Sequence, residues 1–254
     1  MSVGKIFEQG RPALIGYLPA GFPSVEGGIE AIRAMVEAGV DAVEVGFPYS
    51  DPVIDGPVIQ RATEAALAAG VRAADVLHTV ERVAGLGAPI MLMTYWNPVE
   101  RYGVARFARD LAAAGGAGLI TPDLIPDEAG EWIAASDEHG LDRTFLVSPS
   151  STDARVASTT AACRGFVYAT AVMGVTGARE RVSDAAPTLV ARVRAVTRTP
   201  VAVGLGVRDG AQAAMIGAYA DGVIVGSALV SALADGGPAA VRSLTADLAA
   251  GVRS

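Results

Sequence analysis

The chain has 254 residues, 51% of them hydrophobic, and its 20 basic and 27 acidic side chains leave a formal net charge of −7. An acidic chain without a basic cluster argues against nucleic-acid binding, whose affinity comes from grouped Lys and Arg. The longest uncharged stretch, Val83 to Val99, is interrupted by Gly85, Gly87, Pro89, Asn97 and Pro98 and makes a poor membrane span.

Taken in chain order, the opening MSVGKIFEQG lacks the apolar stretch of a signal peptide, so a cytoplasmic location is expected. Short runs rich in Val, Ile and Leu then recur at Leu14–Leu18, Ala42–Val45, Ile90–Met93, Gly118–Ile120, Thr144–Val147, Phe166–Ala169, Val201–Val203 and Val223–Val225. Such runs read as buried parallel strands. Between them, apolar residues fall at helical spacing, as in Ile29, Ile32, Met35 and Val36, or Val76, Val80 and Val83. Strand and helix alternate along the whole chain, which predicts an α/β fold with a parallel sheet covered by helices. About eight such units suit a closed (β/α)8 TIM barrel, since barrels of this kind commonly need about 200–250 residues. One domain spanning 1–254 is expected. Periodicity alone leaves a doubly wound open sheet as the alternative.

Three scarcities bear on the chemistry. Cys163 is the only cysteine, so no internal disulfide and no cysteine-based metal cluster can form, which fits a reducing compartment. His78 and His139, the only histidines, lie far apart in polar helical contexts and read as helix-surface residues; no metal site is expected. Lys5, the only lysine, precedes the first strand, where a buried Schiff base is hard to build. Carboxylates, Tyr, Ser/Thr and backbone groups remain for any reaction.

A barrel carries its chemistry on the loops that leave the C-terminal ends of the strands. Glu44 lies inside the second apolar strand, where a carboxylate is dehydrated whichever way it faces. The loop that follows is stiffened by Pro48, Pro52 and Pro57 and presents Asp51 and Asp55. Glu44 and Asp55 make a plausible acid–base pair: dehydration raises the pKa of one while a polar loop keeps the other ionised. The last two strand exits, Val203-Gly204-Leu205-Gly206 and Val225-Gly226-Ser227, put small residues at strand-to-helix turns, where backbone N–H groups can hold a phosphate without lysine. The long loop after the sixth strand, with Gly174, Thr176 and Gly177, suits a mobile lid, and Thr176 and Gly177 are either ligand contacts or turn residues. Tyr168, by position alone, reads as core packing.

These loops resemble those of one family, the α subunit of tryptophan synthase, the indole-3-glycerol phosphate lyase. The resemblance rests on Pro19-Ala-Gly21-Phe-Pro23, the run from Glu44 through Asp55 to Gln60, Thr94-Tyr-Trp-Asn97-Pro98, Pro122-Asp123-Leu124 and Gly174-Val-Thr-Gly177, and covers nearly the whole chain. It implies a (β/α) barrel that cleaves indole-3-glycerol phosphate to indole and glyceraldehyde 3-phosphate. Indole then passes to a β subunit that carries pyridoxal phosphate, within an α2β2 heterotetramer; no cofactor is implied in this chain. It also implies catalytic roles for Glu44 and Asp55 and an active-site role for Tyr168. Phosphate contacts would come from Gly177, Gly206, Gly226 and Ser227, the catalytic-loop threonine would be Thr176, and Asp51, Asn97 and Pro98 would face the β subunit. Ile54, Leu205 and Met173 depart from the family's commoner residues. Other barrels acting on sugar phosphates, a silent regulatory barrel and a stand-alone lyase are the competing readings; the first lacks the His or Lys it would need.

Overall fold

The computed structural model describes residues 2–170, 185–204 and 206–254. The chain runs β1 (Ala13–Pro19), α1 (Val25–Glu37), β2 (Ala42–Gly46), α2 (Pro57–Ala68), α3 (Ala73–Val83), β3 (Ile90–Met93), α4 (Trp96–Tyr102), α5 (Val104–Ala113), β4 (Gly118–Thr121), α6 (Gly130–Glu138), β5 (Asp142–Val147), α7 (Asp153–Ala162), β6 (Val167–Thr170), α8 (Ala185–Arg194), β7 (Val201–Gly204), α9 (Gly210–Gly217), β8 (Gly222–Val225) and α10 (Ser227–Val252). All eight expected strands form. Each pairs in parallel with the next, and β8 returns to β1, so the sheet closes and the open doubly wound alternative is excluded.

Apart from β5, where Arg143 turns outward to bond the Ala162 carbonyl and the Ser136 hydroxyl, the strands carry no polar outer face because each is covered twice, by helices outside and by side chains of the barrel interior inside. All seven residues of β1 are buried. The spacing of the helices decides which face they bury: Ile29, Ile32 and Met35 of α1 and Val76, Val80 and Val83 of α3 pack on the sheet. On α5, Val104, Phe107 and Leu111 are buried while Arg106 and Arg109 face solvent. Caps fix helix starts, with Ser24 accepting from Gly27 at 3.0 Å and Asp209 accepting from Gln212 at 2.8 Å. α10 is interrupted at Gly237, whose φ of 64° is left-handed, next to Pro238.

The inside of the barrel holds a second core of Ile15, Ala42, Met91, Ile120, Ala202 and Ile224. A 3-10 segment, Val3–Gln9, plugs its lower end with Val3, Ile6 and Phe7. Asp142 at the start of β5 tethers this plug by accepting from the Val3 amide at 2.6 Å and the Ser2 hydroxyl at 2.9 Å. With the bottom filled, the space open to a ligand lies at the opposite end, where the strands exit.

Candidate active site

The cavity at the C-terminal end of the strands has a volume of about 530 Å³ and is lined by Tyr17, Glu44, Asp55, Leu146, Tyr168 and the glycines of the last two strand exits. Glu44 stands beside Tyr17 of β1 and Met91 of β3 in the sheet register, and its side chain turns inward. It is 1% exposed, and its Oε1 has no hydrogen-bond partner among the described residues. Burial pushes its pKa up to about 8, so the group holds a proton at neutral pH.

Asp55 ends the loop after β2, immediately before Gly56 and Pro57 start α2. Its backbone carbonyl accepts from the Gln60 side chain at 2.7 Å, which fixes the loop against the first turn of the helix. Burial raises its carboxyl pKa, and a hydrogen bond from the Tyr95 hydroxyl opposes that rise. The two carboxyls look into one space. After burial itself, their negative charges are what hold the Tyr17 and Tyr168 phenols well above the ordinary range. The cavity thus offers one carboxyl that keeps its proton beside a second that has a phenol donor to favour its ionised form.

The other end of the cavity is built from backbone. Gly204, Gly206, Gly226 and Ser227 line it, and Gly226 and Ser227 begin α10, whose first amides have no carbonyl within the helix to bond. Gly206 has a φ of 68°, a conformation that favours glycine. An anion placed there meets unpaired N–H groups and the positive end of a helix dipole. Gly177, expected to contribute to the same end, and Thr176, expected as the catalytic-loop threonine, lie outside the described residues, as do Met173 and Leu205.

Asp51 and Asn97 are exposed and Pro98 is half-buried at the outer rim of the site. Asn97 donates to the Tyr49 hydroxyl at 3.2 Å, and the Trp96 amide donates to Asp123 at 2.9 Å, so the loops after β2, β3 and β4 are joined into one surface. Val53, Ile54 and Ile125 on these loops are exposed apolar side chains. His78 is exposed on α3 and His139 is half-buried at the end of α6, away from the cavity lining. Among the described residues no group of three or more His, Cys, Asp or Glu is placed to hold a metal ion, and no described helix is long and apolar enough to cross a membrane.

Sequence alone does not single out two phenols at the site. Tyr17 lies in a fully apolar strand, where an aromatic residue reads as core, and only its register beside Glu44 reveals that its ring faces the cavity. Tyr95 belongs to the run Thr94-Tyr-Trp-Asn97-Pro98, but nothing in its neighbours signals that its hydroxyl reaches the loop after β2.

The tryptophan synthase alpha chain family profile matches residues 4–250. The tryptophan synthase alpha chain of Salinispora tropica is 66% identical, with 99% of this chain and 98% of that relative covered. That of Mycobacterium marinum is also 66% identical, over 99% of this chain and 94% of the relative. Among solved structures, Mycobacterium tuberculosis tryptophan synthase superposes with a TM-score of 0.95 at 62% identity, covering 99% of this chain and 98% of that one. The Pyrococcus furiosus tryptophan synthase complex contributes a more distant match, with a TM-score of 0.85 at 32% identity, 94% of this chain and 98% of that one being covered. The chain belongs to the tryptophan synthase alpha chain family.

Proposed function

We propose that the chain cleaves indole-3-glycerol phosphate to indole and glyceraldehyde 3-phosphate by a retro-aldol step, with Glu44 and Asp55 as its catalytic residues. The observation that carries this reading is the inward, 1% exposed carboxyl of Glu44, one oxygen of which has no partner among the described residues, in the same cavity as Asp55. Breaking the bond between indole C3 and the glycerol carbon leaves an electron pair that needs a sink. The indole ring serves as that sink once C3 is protonated. Protonated Glu44 gives its proton to C3, and the ring becomes an indoleninium ion with positive charge at nitrogen. Asp55 accepts a hydrogen bond from the ring N–H and stabilises that charge. The ionised Glu44 then removes the proton of the glycerol hydroxyl, the C–C bond breaks as the aldehyde forms, and the electron pair returns to the ring. Glu44 ends protonated, ready for another cycle.

Gly206, Gly226 and Ser227 hold the substrate phosphate at the start of α10 together with Gly177, Thr176 is the catalytic-loop threonine, and Tyr168 packs on the substrate from β6. The rim with Asp51, Asn97 and Pro98 docks a β subunit in an α2β2 assembly, supported by the exposed Val53, Ile54 and Ile125 beside it. Pyridoxal phosphate belongs to that β subunit. A cytoplasmic location fits a chain whose one cysteine is a buried free thiol.

Indole release from indole-3-glycerol phosphate tests the assignment. General acid–base groups typically contribute about 10²–10⁴-fold, so Glu44→Gln binds the substrate and loses turnover by at least that order. Asp55→Asn loses turnover as well. Near-normal indole release by either variant overturns the role given to that residue.

A further inference from the structure

Tyr95 precedes α4 in an extended conformation, with φ −67° and ψ 160°, and its side chain is 4% exposed. Its hydroxyl oxygen accepts two backbone hydrogen bonds from the loop after β2, from the Val53 and Ile54 amides, each at 3.1 Å. The side chains of these two residues are 74% and 47% exposed, so they do not anchor the loop themselves. A phenol offers two acceptor positions and one donor. The amides fill both acceptor positions and leave the O–H as a donor, and the hydroxyl lies close enough to the Asp55 carboxyl to oppose the rise in pKa that burial causes in it. The ring is braced by Tyr49, with centroids 5.2 Å apart. One hydroxyl therefore fixes the backbone two residues and one residue before Asp55.

We infer that Tyr95 is a positioning residue for the reaction: it holds the loop after β2 against the cavity and so places Asp55 for the substrate nitrogen. This rests on the role of Asp55 given above. Because the phenol can only donate to the carboxyl once its acceptor positions are taken, it favours the charged form of Asp55 and resists the effect of burial. A purely packing role for the ring would leave that charge state untouched.

The test uses the full chain, indole-3-glycerol phosphate and Tyr95→Phe, which keeps the ring and removes the hydroxyl. A hydrogen bond to a charged group corresponds to a loss of about 10–100-fold in kcat, with KM changing much less, because the phosphate end of the cavity is untouched. The acidic limb of the kcat/KM profile moves to higher pH, since Asp55 loses the donor that favours its ionised form. In the Asp55→Asn background the same substitution costs little further. Wild-type kcat with an unmoved acidic limb overturns the inference, as does a full additional loss in the Asp55→Asn background. Asp55→Asn assayed alone separates the two claims: normal turnover there removes the role of Asp55 and this inference with it, whereas an inactive Asp55→Asn beside a normal Tyr95→Phe removes only the inference. If Tyr95→Phe fails to fold, 3-fluorotyrosine at position 95 supplies a more acidic phenol of similar shape. It is expected to move the acidic limb downward, and an unmoved limb contradicts the proposal.

Discussion

The hydroxyl of Tyr168 on β6 stands 2.5 Å from the point that a β-carbon on Gly204 of β7 would occupy. Tyr168 lies beside Ala202 in the register and its ring reaches diagonally to Gly204 at the cavity wall, so the absence of a side chain at 204 is what gives the phenol its place. Gly204→Ala must therefore displace Tyr168 or spread β6 from β7. Overpacking of this kind costs roughly 1–3 kcal/mol, and because Tyr168 leaves the place proposed for it against the substrate, KM for indole-3-glycerol phosphate is expected to rise. Thermal unfolding together with steady-state indole release checks both effects.

Burial of Glu44 also sets a slope in stability against pH. Its pKa is raised from 4.5 to about 8 on folding, so the folded state holds the proton more tightly than the unfolded state. Below the lower value both states are protonated and stability is full. Between the two values only the unfolded state releases the proton, so stability falls as pH rises, and above about 8 it levels off. The total loss is at most about 5 kcal/mol. Glu44→Gln removes that slope, so its gain in melting temperature over the wild type is larger at pH 8 than at pH 5. Parallel melting curves at the two values measure it.

Away from the cavity, α9 and α10 approach backbone to backbone. A β-carbon at Gly251 would overlap the Gly210 carbonyl, and one at Gly210 would lie 2.5 Å from the Asp247 carbonyl oxygen. Neither neighbour is a flexible side chain that could turn away. Gly251→Ala is expected to destabilise the chain by about 1–3 kcal/mol while leaving kcat close to wild type in the folded fraction. Denaturant unfolding and an activity assay below the transition distinguish this from damage to the site.

The burial of Cys163 gives a prediction of a different kind. The side chain is packed beneath β5, its Sγ accepting from the Phe145 amide at 3.4 Å, and burial pushes the thiol up to about 12. The thiolate is the reactive form. Iodoacetamide is therefore expected to label Cys163 at a rate set by unfolding rather than by the chemistry of a free thiol, and labelling in guanidinium is complete while labelling of the native chain is slow.

What is legible in the sequence is whatever depends on periodicity and on strand ends. The eight buried runs mark the eight strands because a strand covered on both faces has no polar alternation to obscure it. Glu44 stands out because a carboxylate inside such a run is anomalous, and Asp55 because a proline-stiffened loop follows directly. Closure of the sheet is legible only through the count of eight units, since periodicity says nothing of whether β1 meets β8 across nearly the whole chain. The plug formed by Val3, Ile6 and Phe7 escapes notice because a short 3-10 segment has too few turns to show a pattern. Tyr17 and Tyr95 are hidden for a related reason: a tyrosine in an apolar context reads as packing, and only the register beside Glu44 and the reach to Val53 and Ile54 reveal where the two hydroxyls point.

The central claim is that Glu44 enters the reaction carrying its proton, and infrared difference spectroscopy between the wild type and Glu44→Gln, followed across pH, reads that proton directly. The account predicts a protonated carboxyl band at neutral pH that is missing from the Glu44→Gln variant and that disappears from the wild type with a midpoint of about 8. A carboxylate already ionised at pH 6, titrating near the ordinary glutamate value of about 4.3, would contradict it.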